Sequence, residues 1–498
     1  MGKTSRVEED FQDYLHEMDA YREVMMLTYW DMRTKIPKKG VDQRSEVIGF
    51  LAEKVHQLET SEKMKNFIDA LRDADNEIVR KSIEECEETY HKSSKIPTNE
   101  YKEYVKLQSK SESVWQEARK KADFTLFQPY LEQLVEYNKK FANYWGYEKN
   151  IYDALLHHFE PGITTEILDG IFPKLRDSIT DLLGKIEGSM DKPDPSILKG
   201  HFPKENQEAF TIEILKQIGY DFESGRLDET IHPFEITLNR NDVRITTRYD
   251  EEDFRMAVFG TIHEGGHALY EQNINASLAR TPLATGTSMG IHESQSLFWE
   301  NIISRSKGFW QNNYDLFKSY APNHFQHVVL EDFYRAINEV KPSFIRIEAD
   351  ELTYPLHIMI RYELEKGLIN GDFAVKDLPG LWNEKMVDYL GIEPSTDREG
   401  VLQDIHWSGG DFGYFPSYAL GYMYAAQFHQ TMSQELDIDK LLSSGNFKPI
   451  KEWLTKNIHQ YGKMKKPLEL VEDVTKEKLN AEHLIRYLTK KYTDIYSL

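Results

Sequence analysis

The chain of 498 residues has one cysteine, Cys86, inside the acidic run Glu84-Glu85-Cys86-Glu87-Glu88. No intramolecular disulfide can form, and a secreted disulfide framework is excluded. Basic residues are in deficit: 61 Lys and Arg stand against 83 Asp and Glu, a net charge of −22. That balance repels phosphate backbones and anionic lipid, so neither nucleic acid nor a membrane is expected as a partner. No stretch approaches the roughly 18 uninterrupted apolar residues of a membrane span. Met1 to Asp10 contain no apolar signal-peptide core, and Arg6 stands where a myristoylation pattern needs Ser or Thr. A cytoplasmic location is the expectation. What is present, 40% hydrophobic and 29% charged residues, fits a globular chain.

Helical periodicity dominates. Val7, Phe11, Tyr14, Met18, Tyr21 and Met25 recur at spacings of three and four, which predicts an amphipathic helix running toward Trp30. Pro37 to Gly40 breaks it, and further acidic helices are expected over 41–95 and 99–143. Their charge-rich faces read as solvated surface and carry no assigned chemistry. A loop is expected from Gly188 to Pro203. Ile231–Leu238 and Asp242–Tyr249 read as short paired strands across an Asn239–Asn241 turn. Helix is expected to resume at Asp250 as N-cap, with Asp253 three residues on. The expectation is a mainly α fold with a small β-sheet insert. Residues 1–498 are read as a single domain whose N-terminal helical lobe covers about 1–190.

His263-Glu264-Gly265-Gly266-His267 falls in that resumed helix. Histidines four residues apart differ by about 40° around a helix and about 6 Å along it, so both imidazoles leave one face. One Zn²⁺ with bonds of about 2.0–2.1 Å can take both. Glu264 then lies near the metal without binding it, a placement that suits a base for an activated water. With 17 His in the chain, an accidental H-E-x-x-H has odds of roughly one in twenty, so its surroundings must decide. A catalytic zinc needs a third protein ligand. Glu293 supplies it, in His292-Glu293-Ser294-Gln295, 26 positions after His267 and beyond a Gly/Thr/Ser loop. A helix and an antiparallel return helix fit that distance, the arrangement of gluzincin peptidases. A carboxylate favoured by a helix dipole is the competing role for Glu293. Gly265 and Gly266 each cost about 1 kcal/mol relative to Ala inside a helix. They predict close approach of a backbone or a substrate, with the Asp242–Tyr249 strand as the expected neighbour.

Six ordered blocks extend the motif: His232-Pro233-Phe234, Asp242-x-Arg244-x-Thr246, the H-E-x-x-H motif, His292-Glu293-Ser294-Gln295, Ile345-Arg346-x-x-Ala349-Asp350, and Gly400-x-x-Gln403-Asp404-x-His406-Trp407. Together, over residues 232–407, they resemble the signature of the carboxypeptidase Taq family, also called the thermostable carboxypeptidase 1 type. The resemblance implies a metallocarboxypeptidase that releases single C-terminal residues with broad preference and spares C-terminal proline. It implies one Zn²⁺ per chain, with Co²⁺ as a substitute, and a homodimer. The fold it implies is a helical, two-lobed body around a deep groove, similar to neurolysin and angiotensin-converting enzyme. Carried over, His263, His267 and Glu293 are metal ligands and Glu264 is the catalytic base.

Peptides with a free C-terminus would be the partners, and their carboxylate calls for a guanidinium. Arg346 is the first choice and Arg244 the second, against structural ion pairs with Asp350 and Asp242. His406 is a candidate donor to substrate, and His232 and Tyr418 are candidate donors to the oxyanion, each against a structural role. Two alternatives stand beside the carboxypeptidase. One is a related metal endopeptidase or dipeptidyl-carboxypeptidase, the other a non-catalytic helical scaffold that binds peptides.

Overall fold

Residues 6–498 are described by a computed structural model. Residues 1–5, part of the N-terminal stretch read above for a targeting signal, lie outside the described residues. Contacts divide the chain into two compact units. The stretch 1–190, expected as one helical lobe, is shared between them. Among the described residues no helix is long and apolar enough to cross a membrane.

The first unit holds the described chain up to Ser94, Ser196–Ile337 and Phe428–Lys476. Its first helix, Arg6–Thr34, buries Phe11, Tyr14 and Met18 of the expected stripe together with Leu15, while Val7 is exposed and Tyr21 and Met25 are half-buried. These pack with Met64, Phe67 and Ile68 of helix Glu62–Leu71 and with Val79, Ile83 and Cys86 of helix Glu77–Ser94. Each large apolar side chain removed from water there contributes about 1.5–3 kcal/mol. Burial pushes the Cys86 thiol up to about 12, which makes it a small core residue rather than a nucleophile.

The β insert belongs to this unit and has three strands in the order β1-β3-β2. β2 (Glu235–Asn239) and β3 (Asp242–Thr247) form the expected hairpin, with a register shift between Thr237 and Asn239. β1 (Leu227–Glu229), too short and too acidic to stand out in the sequence, lies parallel to β3 on its other side. One sheet face packs Ile236 and Leu238 against Trp30 of the first helix. The opposite face meets helix Phe254–Gln272, where the Thr261 hydroxyl donates to Thr247 at 2.8 Å.

The second unit holds Lys95–Pro195, Asn338–Gln427 and Glu477–Leu498. Helix Tyr354–Asn370 is buried nearly all round, including the charged Arg361 and Glu365. Charges are tolerated in such a place only when their hydrogen-bonding capacity is met. Arg361 is bound to Asp404 and Gln403. Glu365 accepts from Tyr152, Trp407 and the Gly413 amide at 2.6–2.8 Å. Burial nonetheless holds its carboxyl up at about 7.

Candidate metal centre

Asp253 caps helix Phe254–Gln272 by accepting from the Arg255 amide at 3.1 Å. Asp250, the expected cap, instead makes a local turn with the Glu252 amide. Positions 263, 267 and 271 recur at a spacing of four, so His263, His267 and Glu271 share one helix face. Ser288 caps the return helix Met289–Leu297, which carries His292 and Glu293. A π-helical turn, Phe298–Ile303, continues it and carries Glu300. Such widened turns re-aim side chains and recur at functional sites.

Gly266 brings the two helices together. A Cβ there would sit 2.6 Å from the Gln295 carbonyl oxygen and 2.7 Å from Ser296 Cα. Gly265 instead faces Leu215 of helix Lys204–Ile218. The glycine pair therefore serves helix packing, and the expected strand neighbour is corrected. β3 is also the central strand, bonded on both sides, so it has no free edge for a substrate.

The result is a convergent ligand set. His263, His267 and Glu293 each offer one atom, all within 4.8 Å of one another. Glu293 Oε2 lies 3.7 Å from His263 Nε2 and 3.5 Å from His267 Nε2. A tetrahedral ion with bonds of about 2.0–2.1 Å spaces its ligand atoms by about 3.3 Å, so the set fits a zinc-sized ion. The other ring nitrogens are occupied. His263 Nδ1 meets Glu300 Oε2 at 2.9 Å, and Arg305 reaches Glu300 Oε1 at 3.4 Å. His267 Nδ1 meets His292 Nδ1 at 2.6 Å, and His292 Nε2 meets Glu271 Oε1 at 3.0 Å.

The electrostatics also call for a cation. Burial opposes charge on His263, but Glu293 and Glu300 outweigh it and lift the imidazole to about 10. Burial drives His267 down to about 4, toward the neutral form that ligates metal. Glu264 is buried, and this raises its carboxyl to about 7; His263 opposes the rise while Glu293 and Glu300 add to it. A carboxyl poised near neutrality suits a group that takes and returns a proton.

Arg244 lies in the same unit on the far face of the sheet. Its cross-strand partner is Ile236, which packs on Trp30, and its guanidinium sits 5.5 Å from the Trp30 ring. Asp242 holds it with two 2.7 Å hydrogen bonds. His232 is exposed in the turn leading into β2, where its carbonyl accepts from Thr230.

Arg346, His406 and Tyr418 come together in the second unit. Arg346 is buried and donates to Asp404 Oδ1 through Nε at 3.0 Å and Nη2 at 2.9 Å, and to the Tyr354 hydroxyl at 3.1 Å. Its ion-pair partner is thus Asp404 and not Asp350. Asp350 instead accepts from the Lys341, Leu352 and Thr353 amides. The Arg346 guanidinium lies 5.0 Å from the Tyr418 ring, and the Tyr418 hydroxyl is 3.4 Å from His406 Nε2. Burial, reinforced by Arg346, lowers His406 to about 4.

Sequence reasoning assigned no role to Glu300, Glu271, His292, Glu235 or Arg361. Glu271 was visible as a carboxylate one turn past His267. Glu300 stands about two turns past Glu293, but no local rule pairs it with His263, 37 positions away. Glu235 pairs with Ile245 on the sheet face that the His263 helix covers, and burial raises it to about 7.

The profile of the carboxypeptidase Taq (M32) metallopeptidase family matches residues 10–492. Carboxypeptidase 1 of Bacillus subtilis is 54% identical over 495 residues, covering 99% of each chain. Thermostable carboxypeptidase 1 of Thermus thermophilus is 41% identical, covering 94% of this chain and 95% of its own. Among solved structures, the M32 carboxypeptidase of Deinococcus radiodurans superposes with a TM-score of 0.97 at 32% identity, covering 99% of this chain and all of its own. The Pyrococcus furiosus carboxypeptidase gives a TM-score of 0.95 at 35% identity, over 98% of this chain and 99% of its own. The chain is a metallocarboxypeptidase and belongs to the carboxypeptidase Taq (M32) metallopeptidase family.

Proposed function

We propose that this chain, acting as a single catalytic domain, removes one residue at a time from the free C-terminus of peptides. Preference for the released side chain is broad, and C-terminal proline is spared. The observation that carries the reading is the convergence of His263 Nε2, His267 Nε2 and Glu293 beside the buried Glu264. These three residues hold one Zn²⁺ per chain, for which Co²⁺ substitutes. The ion supplies Lewis-acid polarisation of a water and of the scissile carbonyl.

Glu264 does the proton work. As water attacks the last peptide carbonyl, a Glu264 carboxylate oxygen accepts its proton and then delivers it to the departing amine. Glu300 accepts from His263 Nδ1–H and so fixes which nitrogen of that ring faces Glu293. Arg346 is assigned to the substrate carboxylate. Asp404 holds one side of its guanidinium, while the donor now given to Tyr354 is one that a carboxylate can claim. Arg244 ranks second because it lies against Trp30 on the sheet face away from the His263 helix. Tyr418 and His232 are assigned to the oxyanion, and His406 to a contact with substrate. The working form is a cytoplasmic homodimer.

Mass spectrometry of a peptide panel tests this reading. Free and C-terminally amidated peptides are incubated with chelator, with Zn²⁺ or with Co²⁺. Stepwise loss of single residues from free peptides alone, abolished by chelator and restored by either ion, is expected. Cleavage of amidated peptides would instead indicate an endopeptidase.

A further inference from the structure

On its Nδ1 side His267 reaches a carboxylate through a second imidazole, whereas His263 Nδ1 meets Glu300 directly. In the tautomers that satisfy every contact, His267 Nδ1–H donates to His292 Nδ1 at 2.6 Å. His292 Nε2–H then donates to Glu271 Oε1 at 3.0 Å. Any other neutral arrangement sets two donors or two lone pairs against each other at one of these contacts.

The relay is built into its surroundings. Glu271 is 1% exposed, and its Oε1 also accepts from the Gly286 amide at 2.7 Å and the Thr285 hydroxyl at 3.1 Å. Gly286 lies so close to His292 that a Cβ would sit 2.6 Å from the ring. The Tyr270 ring flanks His292 at 5.3 Å between centroids. The imidazole is therefore held by packing on its faces and by hydrogen bonds at both nitrogens.

We propose that His292 and Glu271 are positioning residues that lock His267 into the tautomer whose Nε2 faces Glu293, and thereby set the affinity of the site for its metal. This rests on the metal site proposed above. Hydrogen-bond partners behind a ligating histidine typically change metal affinity by about 10–100-fold. His292 lies outside the ligand set and meets His267 through Nδ1, the contact by which it acts.

Zn²⁺ and Co²⁺ affinities, measured by competition with a chromophoric chelator, test the proposal. His292→Phe keeps a flat ring but no acceptor, and is expected to weaken binding by about 10–100-fold. His292→Asn places an amide oxygen near the Nδ1 position and is expected to recover most of that loss. Glu271→Gln should weaken binding in the parent but add little once His292 is Phe, because the relay is already cut. The Co²⁺ absorption bands should shift in His292→Phe and return toward the parent in His292→Asn. Parent-like affinity in His292→Phe would overturn the relay, as would equal losses in the Phe and Asn variants. Failure of the parent itself to bind Zn²⁺ would overturn the metal site instead.

Discussion

Gly266 lies directly against Ser296: a Cβ on the glycine would stand 2.7 Å from the serine Cα. That contact sets the spacing between the helix bearing His263 and His267 and the helix bearing Glu293. In an exposed helix, Gly266→Ala would gain about 1 kcal/mol of propensity. Here the obstacle is backbone and cannot rotate away, so overpacking of about 1–3 kcal/mol or more prevails. Gly266→Ala should melt at lower temperature and bind Zn²⁺ more weakly. Gly260→Ala is the control, because its Cβ would meet only Met256 Sδ at an ordinary 3.7 Å. That variant should keep or slightly raise the melting temperature. Equal behaviour of the two variants in thermal scans would contradict the packing argument.

Glu264→Gln separates holding the metal from moving the proton. Glu264 is not part of the converging ligand set, and the amide is nearly isosteric. Zn²⁺ stoichiometry should stay at the parent level. Turnover should fall by about three powers of ten or more, in keeping with the loss of a general base. A kcat above one tenth of the parent value would remove Glu264 from the base role.

The convergence of His263, His267 and Glu293 was legible because it is written at helical spacing. His263 and His267 share a face for the reason any residues four apart do, and the capped return helix carried Glu293 to them. The partners behind the ligands were less legible. Glu300 stands about two turns past Glu293, but its pairing with His263 spans 37 positions, and His292 stood beside Glu293 without declaring its own partner. Glycine signalled close approach at 266, but not what approaches. The pairing of Arg346 with Asp404 spans 58 positions, and no local rule selects Asp404 over the nearby Asp350. The first helix and the hairpin followed their periodicities, whereas β1 is three residues long and found only through its partner strand.

Arg244 and Arg346 should respond differently to substitution. Arg244 stacks on Trp30 and is held by Asp242, on the sheet face away from the His263 helix. Arg244→Ala should lower the melting temperature by a few degrees, with KM for a short free peptide changed less than threefold. Arg346→Lys keeps the charge but loses the fork that meets Asp404 and a carboxylate together. It should raise KM for free peptides at least tenfold. Steady-state kinetics on one peptide series measures both, and a larger KM effect at Arg244 would reverse the assignment.

Asp404 sits between two buried guanidinium groups, accepting from Arg346 at Oδ1 and from Arg361 at Oδ2. Burial alone would raise its carboxyl, but the two arginines outweigh it and hold it well below its ordinary 3.8. A carboxyl depressed in the folded state contributes stability above its unfolded value, and that contribution is lost as pH falls toward the folded value. Asp404→Asn leaves both guanidinium groups without their counter-charge, a loss of about 3–5 kcal/mol at neutral pH. The variant lacks the acid-labile contribution, so the gap between parent and variant should be widest at pH 5–7 and shrink progressively below pH 4. Chemical denaturation at pH 7 and pH 3 reads this directly. A gap that stays constant across that range would mean that the charge on Asp404 does not stabilise the folded chain.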